Sequence, residues 1–417
     1  VSPPDLPEWT TITAIDVSHH QPGTVYIAAE GHRVSDRTPY LYKSTNYGET
    51  WQRITDGIRE NDYTWVIRED PLRPGLLYTG TETGVYVSFD NGDAWQPLQN
   101  KLPPVMVMQM QVKDDDLVVA THGRGFWIID NISSLRAITP EVALTEVHLF
   151  EDVPTIRNLR GGRGWTGLTG GAKNPPRGVM IEYYLASAAD QPVTITITGA
   201  NHEMIKTFSS ESEDDSGPSV DAGMNRFFWD MRYPGTQMPP PNGALDGFMS
   251  VDYSPPTSPL APPGQYRVRL TVNAEIFEQP FEINKDPRIK ASDADLRAQF
   301  DLMVDIRDRF TEVADTVMKI REVRARLDKH QSVLPEASRT EADTILQELR
   351  QIEGILMIWM GSPAHPMMWS PPGLTEKLSS LSNAVSSGDV KPTESMYAVF
   401  EDLSERFDSQ RNRLNQV

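Results

Sequence analysis

One octapeptide occurs twice near the start of this chain and limits what the first third can fold into. Ser44-Thr-Asn-Tyr-Gly-Glu-Thr-Trp51 and Ser88-Phe-Asp-Asn-Gly-Asp-Ala-Trp95 share the pattern Ser-x-(Asp/Asn)-x-Gly-x-x-Trp and begin 44 residues apart. Strand-like runs precede each copy, at 24–29 and 40–43 and again at 76–79 and 84–87. A third, degenerate copy follows: residues 116–121 align with 75–80, and Gly125-Phe-Trp-Ile128 aligns with Gly84-Val-Tyr-Val87, 41 residues on. Short strands with a period of about 40–50 residues are the pattern of β-propeller blades, each a four-stranded sheet. The octapeptide itself has the chemistry of a turn. Ser44 and Ser88 open it, Asn46 and Asp90 cap the backbone, Gly48 and Gly92 supply a positive φ, and Trp51 and Trp95 pack between sheets.

Closed propellers have about four to eight blades, and this chain holds three, ending near Asp130. Two sheet faces are therefore left open, to be covered by blades from another polypeptide or from an upstream portion of a longer protein.

Beyond residue 138 the texture changes. Residues 145–150, 178–185, 192–199, 224–233, 263–272 and 276–283 read as strands, the last two as a hairpin around Asn273-Ala274-Glu275. A Gly-rich stretch at 161–171 and a Pro-rich insert at 237–263 interrupt them, the insert reading as an ordered loop or a partner-facing strap. After Ser292-Asp-Ala-Asp295, an N-cap signal, apolar residues recur at helical spacing to about His330, then over 341–360, 374–385 and 393–414. The Met- and Trp-rich run Ile355–Trp369 reads as bundle core and a cap on the preceding strands. The expected architecture is mainly β with an α-helical C-terminal part. Residues 1–137 form the last blades of an incomplete propeller, 138–290 a β-sandwich of immunoglobulin or fibronectin type, and 291–417 an antiparallel helical bundle.

Composition removes whole classes of chemistry. With 39 Lys and Arg against 58 Asp and Glu, the net charge is −19, which opposes binding to nucleic acid or anionic membranes. Zero cysteine excludes disulfides, thiolate metal sites, iron–sulfur clusters and cysteine nucleophiles. No run approaches a membrane span. No Walker loop, Rossmann fingerprint, serine nucleophile elbow or zincin helix occurs, so neither a metal nor a cofactor is implied.

The octapeptide matches the Asp-box, and with it the chain resembles the C-terminal half of large bacterial proteins with sortilin-type (BNR) propeller repeats, often labelled glycosyl hydrolase-like. The resemblance rests on Thr64-Trp-Val-Ile-Arg-Glu-Asp-Pro71, residues 77–90 and 117–130, Asn225-Arg-Phe-Phe-Trp-Asp-Met-Arg-Tyr233, Pro263-Gly-Gln-Tyr-Arg-Val-Arg-Leu270 and Ala298-Gln-Phe-Asp301. It covers nearly the whole chain, with Asn46 in place of the usual Asp of the first box. It implies an exported bacterial protein, periplasmic or secreted, whose missing blades lie upstream of Val1.

Asp-boxes identify a fold rather than a reaction. A sialidase needs an arginine cluster, a Tyr/Glu nucleophilic pair and an acid Asp. Arg33, Arg68, Arg73 and Arg124 are present, with Glu69 and Asp70 beside Arg68, but no spacing demonstrates such a site. A xyloglucanase-type site needs two carboxylates facing across a cleft, and Asp16 is the one candidate near a repeat start. Arg68, Glu69, His122 and Arg124 are the ligand-binding candidates, although His122 also reads as a buried histidine bonded to a neighbouring blade. His19-His20 lie on a turn and make a poor chelate. The acidic runs 114–116 and 211–215 read as solvated loops. No catalytic residue is assigned. The expected function is binding of peptide, protein or polysaccharide, or assembly of a larger complex. The alternative is a glycoside hydrolase whose site lies mostly in the missing blades.

Overall fold

A computed structural model describes residues 2–151, 154–158, 176–212, 217–240, 255–330, 335–357 and 372–417. The Gly-rich stretch, the centre of the Pro-rich insert and most of the Met- and Trp-rich run lie outside these residues. The chain divides into two compact units, Val1–Phe150 with Tyr184–Ser187, and Glu151–Tyr183 with Ala188–Val417. It is mostly β with a C-terminal helical region.

Unit 1 contains three successive antiparallel meanders. The first sheet has the order β1 (Thr11–Val17), β2 (Val25–Gly31), β3 (Asp36–Ser44), β4 (Gln52–Arg53). The second repeats it with β5 (Thr64–Glu69), β6 (Leu77–Thr81), β7 (Val85–Ser88) and β8 (Gln96–Pro97). The third has three strands, β9 (Val107–Lys113), β10 (Asp116–Thr121) and β11 (Phe126–Ile129). Two short helices, α1 (Ser133–Ala137) and α2 (Pro140–Ala143), and strand β12 (Val147–Leu149) follow.

Side chains alternate across each strand, so each sheet has two faces to bury. Tyr26, Ala28 and Leu41 of the first sheet meet Ile67, Leu77, Tyr86 and Trp95 of the second. The other face of the second, with Val66, Tyr78 and Val87, meets Val107, Met110, Leu117 and Val119 of the third.

The two octapeptides fold alike. Ser44 Oγ accepts the Gly48 N–H at 2.9 Å and donates to Asn46 Oδ1 at 3.0 Å; Ser88 Oγ accepts the Gly92 N–H at 2.9 Å and donates to Asp90 Oδ1 at 2.7 Å. The same acceptors take Thr50 N–H and Ala94 N–H, each at 2.9 Å. Tyr47 and Asn91 are left-handed, as are Gly48 and Gly92, and their N–H groups reach back to Gly23 O and Gly75 O of the neighbouring hairpin turns at 2.9 Å. Trp95 is buried between the first two sheets and donates Nε1–H to Ile54 O at 2.8 Å. Trp51 is half-buried against Ile27, Ala29, Tyr40 and Tyr42, on the face of the first sheet turned away from the second.

Unit 2 holds a five-stranded sheet of order β13 (Thr155–Arg157), β19 (Glu275–Lys285), β18 (Gly264–Val272), β15 (Thr194–Gly199), β16 (Met204–Ser209), with β13 parallel to β19 and the rest antiparallel. Strand β14 (Val179–Leu185) neighbours β17 (Gly223–Trp229) in another sheet. Among the described residues of the unit, four helices follow: α3 (Asp293–His330), α4 (Glu336–Leu356), α5 (Leu374–Val385) and α6 (Glu394–Leu414).

Helix α3 starts where the sequence places its cap. Ser292 Oγ accepts the Asp295 N–H at 3.1 Å, and Asp295 Oδ2 accepts the Ser292 N–H at 2.9 Å, a reciprocal capping box. Helix α4 begins at Glu336 rather than 341, directly after Pro335, whose fixed φ is already helical. The segment that leads into the Pro-rich insert runs along α3, with Arg307 donating to Pro234 O and Thr311 to Thr236 Oγ1, and within the insert Pro240 O accepts from Arg321 of the same helix.

The β18–β19 hairpin closes on Asn273 and Ala274, both left-handed, the geometry of a type I′ turn. Alanine in that conformation is strained, whereas glycine is not. Ala274→Gly is expected to raise stability by about 0.5–1 kcal/mol, read as a higher urea midpoint at unchanged m-value.

Candidate functional site

The first strands of the three sheets carry one position in common. Asp16, Arg68 and Gln111 pair with Tyr26, Tyr78 and Val118 at the same rung of their sheets. Asp16, Arg68 and Gln111 line a cleft of about 360 Å³, together with His19, Glu69, Gln109 and Met110. Two of the four predicted ligand-binding residues, Arg68 and Glu69, therefore lie in one cleft, with Asp16 beside them.

The other two lie elsewhere. His122 and Arg124 sit in the exposed turn between β10 and β11. The turn is left-handed at Gly123 and Gly125, where an added Cβ would meet nothing within 4 Å. The reading of His122 as buried is thus incorrect. Its backbone N–H donates to Met106 O at 2.9 Å, and the residue is exposed.

Inside the cleft the carboxylates are already engaged. Asp16 Oδ2 accepts the Glu69 N–H at 2.8 Å, and its Oδ1 lies 3.6 Å from Arg68 Nη1. Buried Glu69 accepts the His19 N–H at 3.0 Å and the Tyr26 hydroxyl at 3.3 Å. Arg68 also donates to Met110 O, Ile67 O and Gln109 Oε1 at 2.6–3.1 Å. Burial holds the Asp16 carboxyl above its ordinary range, against the lowering effect of the Glu69 N–H and the Arg68 guanidinium.

Tyr26 and Glu69 form a Tyr/Glu pair of the kind a sialidase would use, but their electrostatics oppose that use. A phenol nucleophile needs its proton held loosely. Burial, and then the Glu69 charge, push the Tyr26 hydroxyl far upward, and the ring is almost wholly enclosed. Nor do the arginines converge. Arg73 donates to Leu135 O and stacks over Phe89, while Arg33 lies in a 3-10 turn between β2 and β3.

Three further charged features of unit 1 lie outside the residues that line the cleft. Asp70 is fully buried and joined to Arg136 of α1 by contacts of 3.0 Å. The run 114–116 is tied down rather than merely solvated. Asp115 pairs with Arg136 at 2.6 Å, and Asp116 accepts the Asn131 N–H at 3.0 Å. At the end of β2, buried Glu30 accepts from the His32 N–H at 2.8 Å and pairs with the His32 imidazole, which stacks on Tyr63. The spacing Glu-x-His at a strand end was the available clue. Among the described residues, no group of three or more His, Asp or Glu is placed to hold a metal ion. No helix among them is long and apolar enough to cross a membrane.

No family model matches the chain, and none of the curated proteins does. Solved structures give weak likenesses. The YCF48 structure "bound to D1 peptide" is 18% identical at a TM-score of 0.23, over 29% of this chain and 37% of that one. A GH74 enzyme described as ancestral is 13% identical at 0.23, over 64% and 31%. The GH74 enzyme of Niastella koreensis is 10% identical at 0.25, over 65% and 46%. The chain thus spans about a third of the length of the first two.

Proposed function

We propose that unit 1 is a set of Asp-box blades from a larger β-propeller, and that the chain is an exported, non-catalytic binding or assembly protein. Its ligand is a peptide, protein or polysaccharide seated on Arg68, Glu69 and their neighbours in the cleft. The engagement of Asp16 and Glu69 carries this reading: each spends an oxygen on a backbone N–H that fastens one sheet to the next. Groups fixed in this way present a rigid polar surface and are poorly placed to take up or release a proton during turnover. Exposed His122 and Arg124, in the β10–β11 turn away from the cleft, stand as separate candidates for contact with a macromolecular ligand. The downstream parts, proposed as a sandwich over 138–290 and a bundle over 291–417, have no assigned chemistry.

A glycoside hydrolase is the second reading, favoured by one observation: a carboxyl with a raised pKa shares its cleft with a second carboxylate. Assays with a xyloglucan oligosaccharide and sialyllactose separate the two readings. The expected result is no turnover of either. Arg68→Gln is expected to weaken any saturable binding of these probes at least tenfold while leaving the thermal transition in place. Hydrolysis that vanishes in Asp16→Asn would overturn the binding reading.

A further inference from the structure

Two arginines of unit 2 share one small cavity. Arg157 comes from edge strand β13. Arg232 lies just beyond β17, where Met231 turns left-handed and the chain pairs with the return of the Pro-rich insert. In that pairing the Ala261 N–H donates to Met231 O at 2.7 Å and the Tyr233 N–H to Pro259 O at 2.9 Å. Arg157, Arg232 and Ser258 line a cavity of about 50 Å³ whose wall also includes the apolar side chains of Phe300 and Met303. That is room for a small ion or ordered water.

Charge around the cavity is out of balance. No Asp or Glu is among its lining residues. Arg157, 2% exposed, is joined to Asp389; its other acceptors are neutral, Ala261 O at 3.0 Å and Gln299 Oε1 at a long 3.4 Å. A guanidinium carries five N–H donors, so Arg157 keeps some in reserve. Half-buried Arg232 donates to Ser258 O at 2.6 Å. Its other N–H groups, and the Ser258 hydroxyl, have no partner among the described residues.

The two cations feel each other. Burial lowers the Arg157 pKa below its ordinary value, Asp389 opposes that, and the Arg232 charge adds to the lowering. Like charges held together beside an apolar wall cost free energy unless a counter-charge accompanies them. Asp389 answers one of the two guanidiniums and leaves the other to be matched.

We propose that this cavity binds one small monovalent anion of halide size, held by the Arg232 guanidinium, the spare N–H groups of Arg157 and the Ser258 hydroxyl. The wall selects the class. The cost of stripping water from an ion rises with the square of its charge. Phe300 and Met303 return nothing for that cost, so sulfate and hydrogen phosphate are disfavoured and chloride or bromide is preferred. Occupancy fastens the return of the insert, at Ser258, to strand β13, so the ion acts as a structural part of the fold. The site lies wholly within unit 2 and is independent of the cleft in unit 1.

Chloride-35 NMR on the full chain tests this, at fixed ionic strength with sodium chloride replacing sodium gluconate, whose anion is too large for the cavity. The expected result is a broadening of the chloride line that requires the protein and that bromide removes saturably. Arg232→Gln should cut that broadening roughly tenfold. The wild-type chain should melt about 3 °C higher or more in saturating bromide than in gluconate, and Arg232→Gln should lose this difference. In gluconate the variant should melt within about 2 °C of wild type, since it gives up one hydrogen bond and no ion pair. If Arg232→Gln does not fold, Ser258→Ala takes its place, with bromide affinity expected to fall roughly threefold. No saturable broadening in the wild type would mean that the cavity holds water alone and would overturn the proposal. Undiminished broadening in the variants, or displacement of chloride by sulfate as readily as by bromide, would do the same.

Discussion

Asp70→Ala is expected to destabilise unit 1 by about 3–5 kcal/mol, the usual consequence of removing one partner from a buried ion pair. Asp70 is fully enclosed. Its Oδ1 accepts the Leu72 and Arg73 N–H groups at 2.9 Å, which shapes the turn between β5 and β6. Both oxygens lie 3.0 Å from Arg136 Nε, and the Tyr78 hydroxyl approaches at 3.5 Å. Through Arg136 the same carboxylate holds α1 and the Asp114–Asp115 turn. Removing it would leave the mostly buried Arg136 guanidinium with Asp115 and Asp114 O alone and deprive two turn amides of their acceptor. Urea denaturation followed by tryptophan fluorescence would measure the loss. Arg136→Met in the Asp70→Ala background should recover part of it, since the stranded charge is then gone. A loss below about 1 kcal/mol for Asp70→Ala would show that the pair contributes no more than a surface ion pair.

In unit 2 the corresponding expectation concerns Arg157, at the end of edge strand β13. Its guanidinium is almost wholly buried and donates to Ala261 O at 3.0 Å, to Gln299 Oε1 of α3 at 3.4 Å and to Asp389. Gln299 in turn donates to Val385 O and Gly388 O, at the end of α5. One side chain thus joins a strand, the end of the Pro-rich insert, helix α3 and the loop that follows α5. Arg157→Ala is expected to cost about 3–5 kcal/mol because Asp389 is left buried without its cation. Arg157→Lys should recover only a minor part, since an ammonium does not reproduce the fork that reaches several acceptors. Loss of far-UV ellipticity on heating, compared among the three proteins, decides the matter. If Lys restores full stability, charge alone suffices and the multi-pronged role is wrong.

The parts of the fold that were readable are those written in short-range pattern. The two octapeptides announce their turns because a Ser hydroxyl, an Asx side chain and a glycine must sit at fixed offsets to satisfy one tight loop. The Ser292 cap, the Asn273-Ala274 hairpin and the limits of α5 were legible for the same local reason. Long-range partners were not. Nothing in Glu-Asp-Pro separates Asp70, which meets an arginine 66 residues away, from Glu69, which receives a backbone amide 50 residues away. Strand ends also slipped: the run read at 224–233 forms a strand only over Gly223–Trp229. Beyond it Met231 turns left-handed.

The candidate site was half legible. Arg68 and Glu69 stood out as adjacent charges at a strand end, and Asp16 stood at a repeat start. His122 misled because the glycines that follow it, Gly123 and Gly125, suggest close approach of the backbone to a ligand. Here they serve an open turn with nothing against it. Tyr26 was invisible as a site residue, since a tyrosine in an alternating strand looks the same whether its hydroxyl meets solvent or a carboxylate.

The octapeptide turns also bear on how anything would be bound. Each donates a backbone N–H to the neighbouring hairpin turn, and Asn91 of the second additionally accepts the Tyr26 hydroxyl from the preceding sheet at 3.2 Å. These links cross-brace the end of unit 1 at which the cleft lies. A mouth braced in this way has little conformational freedom left to lose when it is filled, so association there is not taxed by ordering of the wall. The same stiffness forbids it to mould itself around a misfit. Selectivity would then arise from shape and donor placement fixed before the encounter, and swapping the three residues that share one strand position would retune it without redrawing the frame.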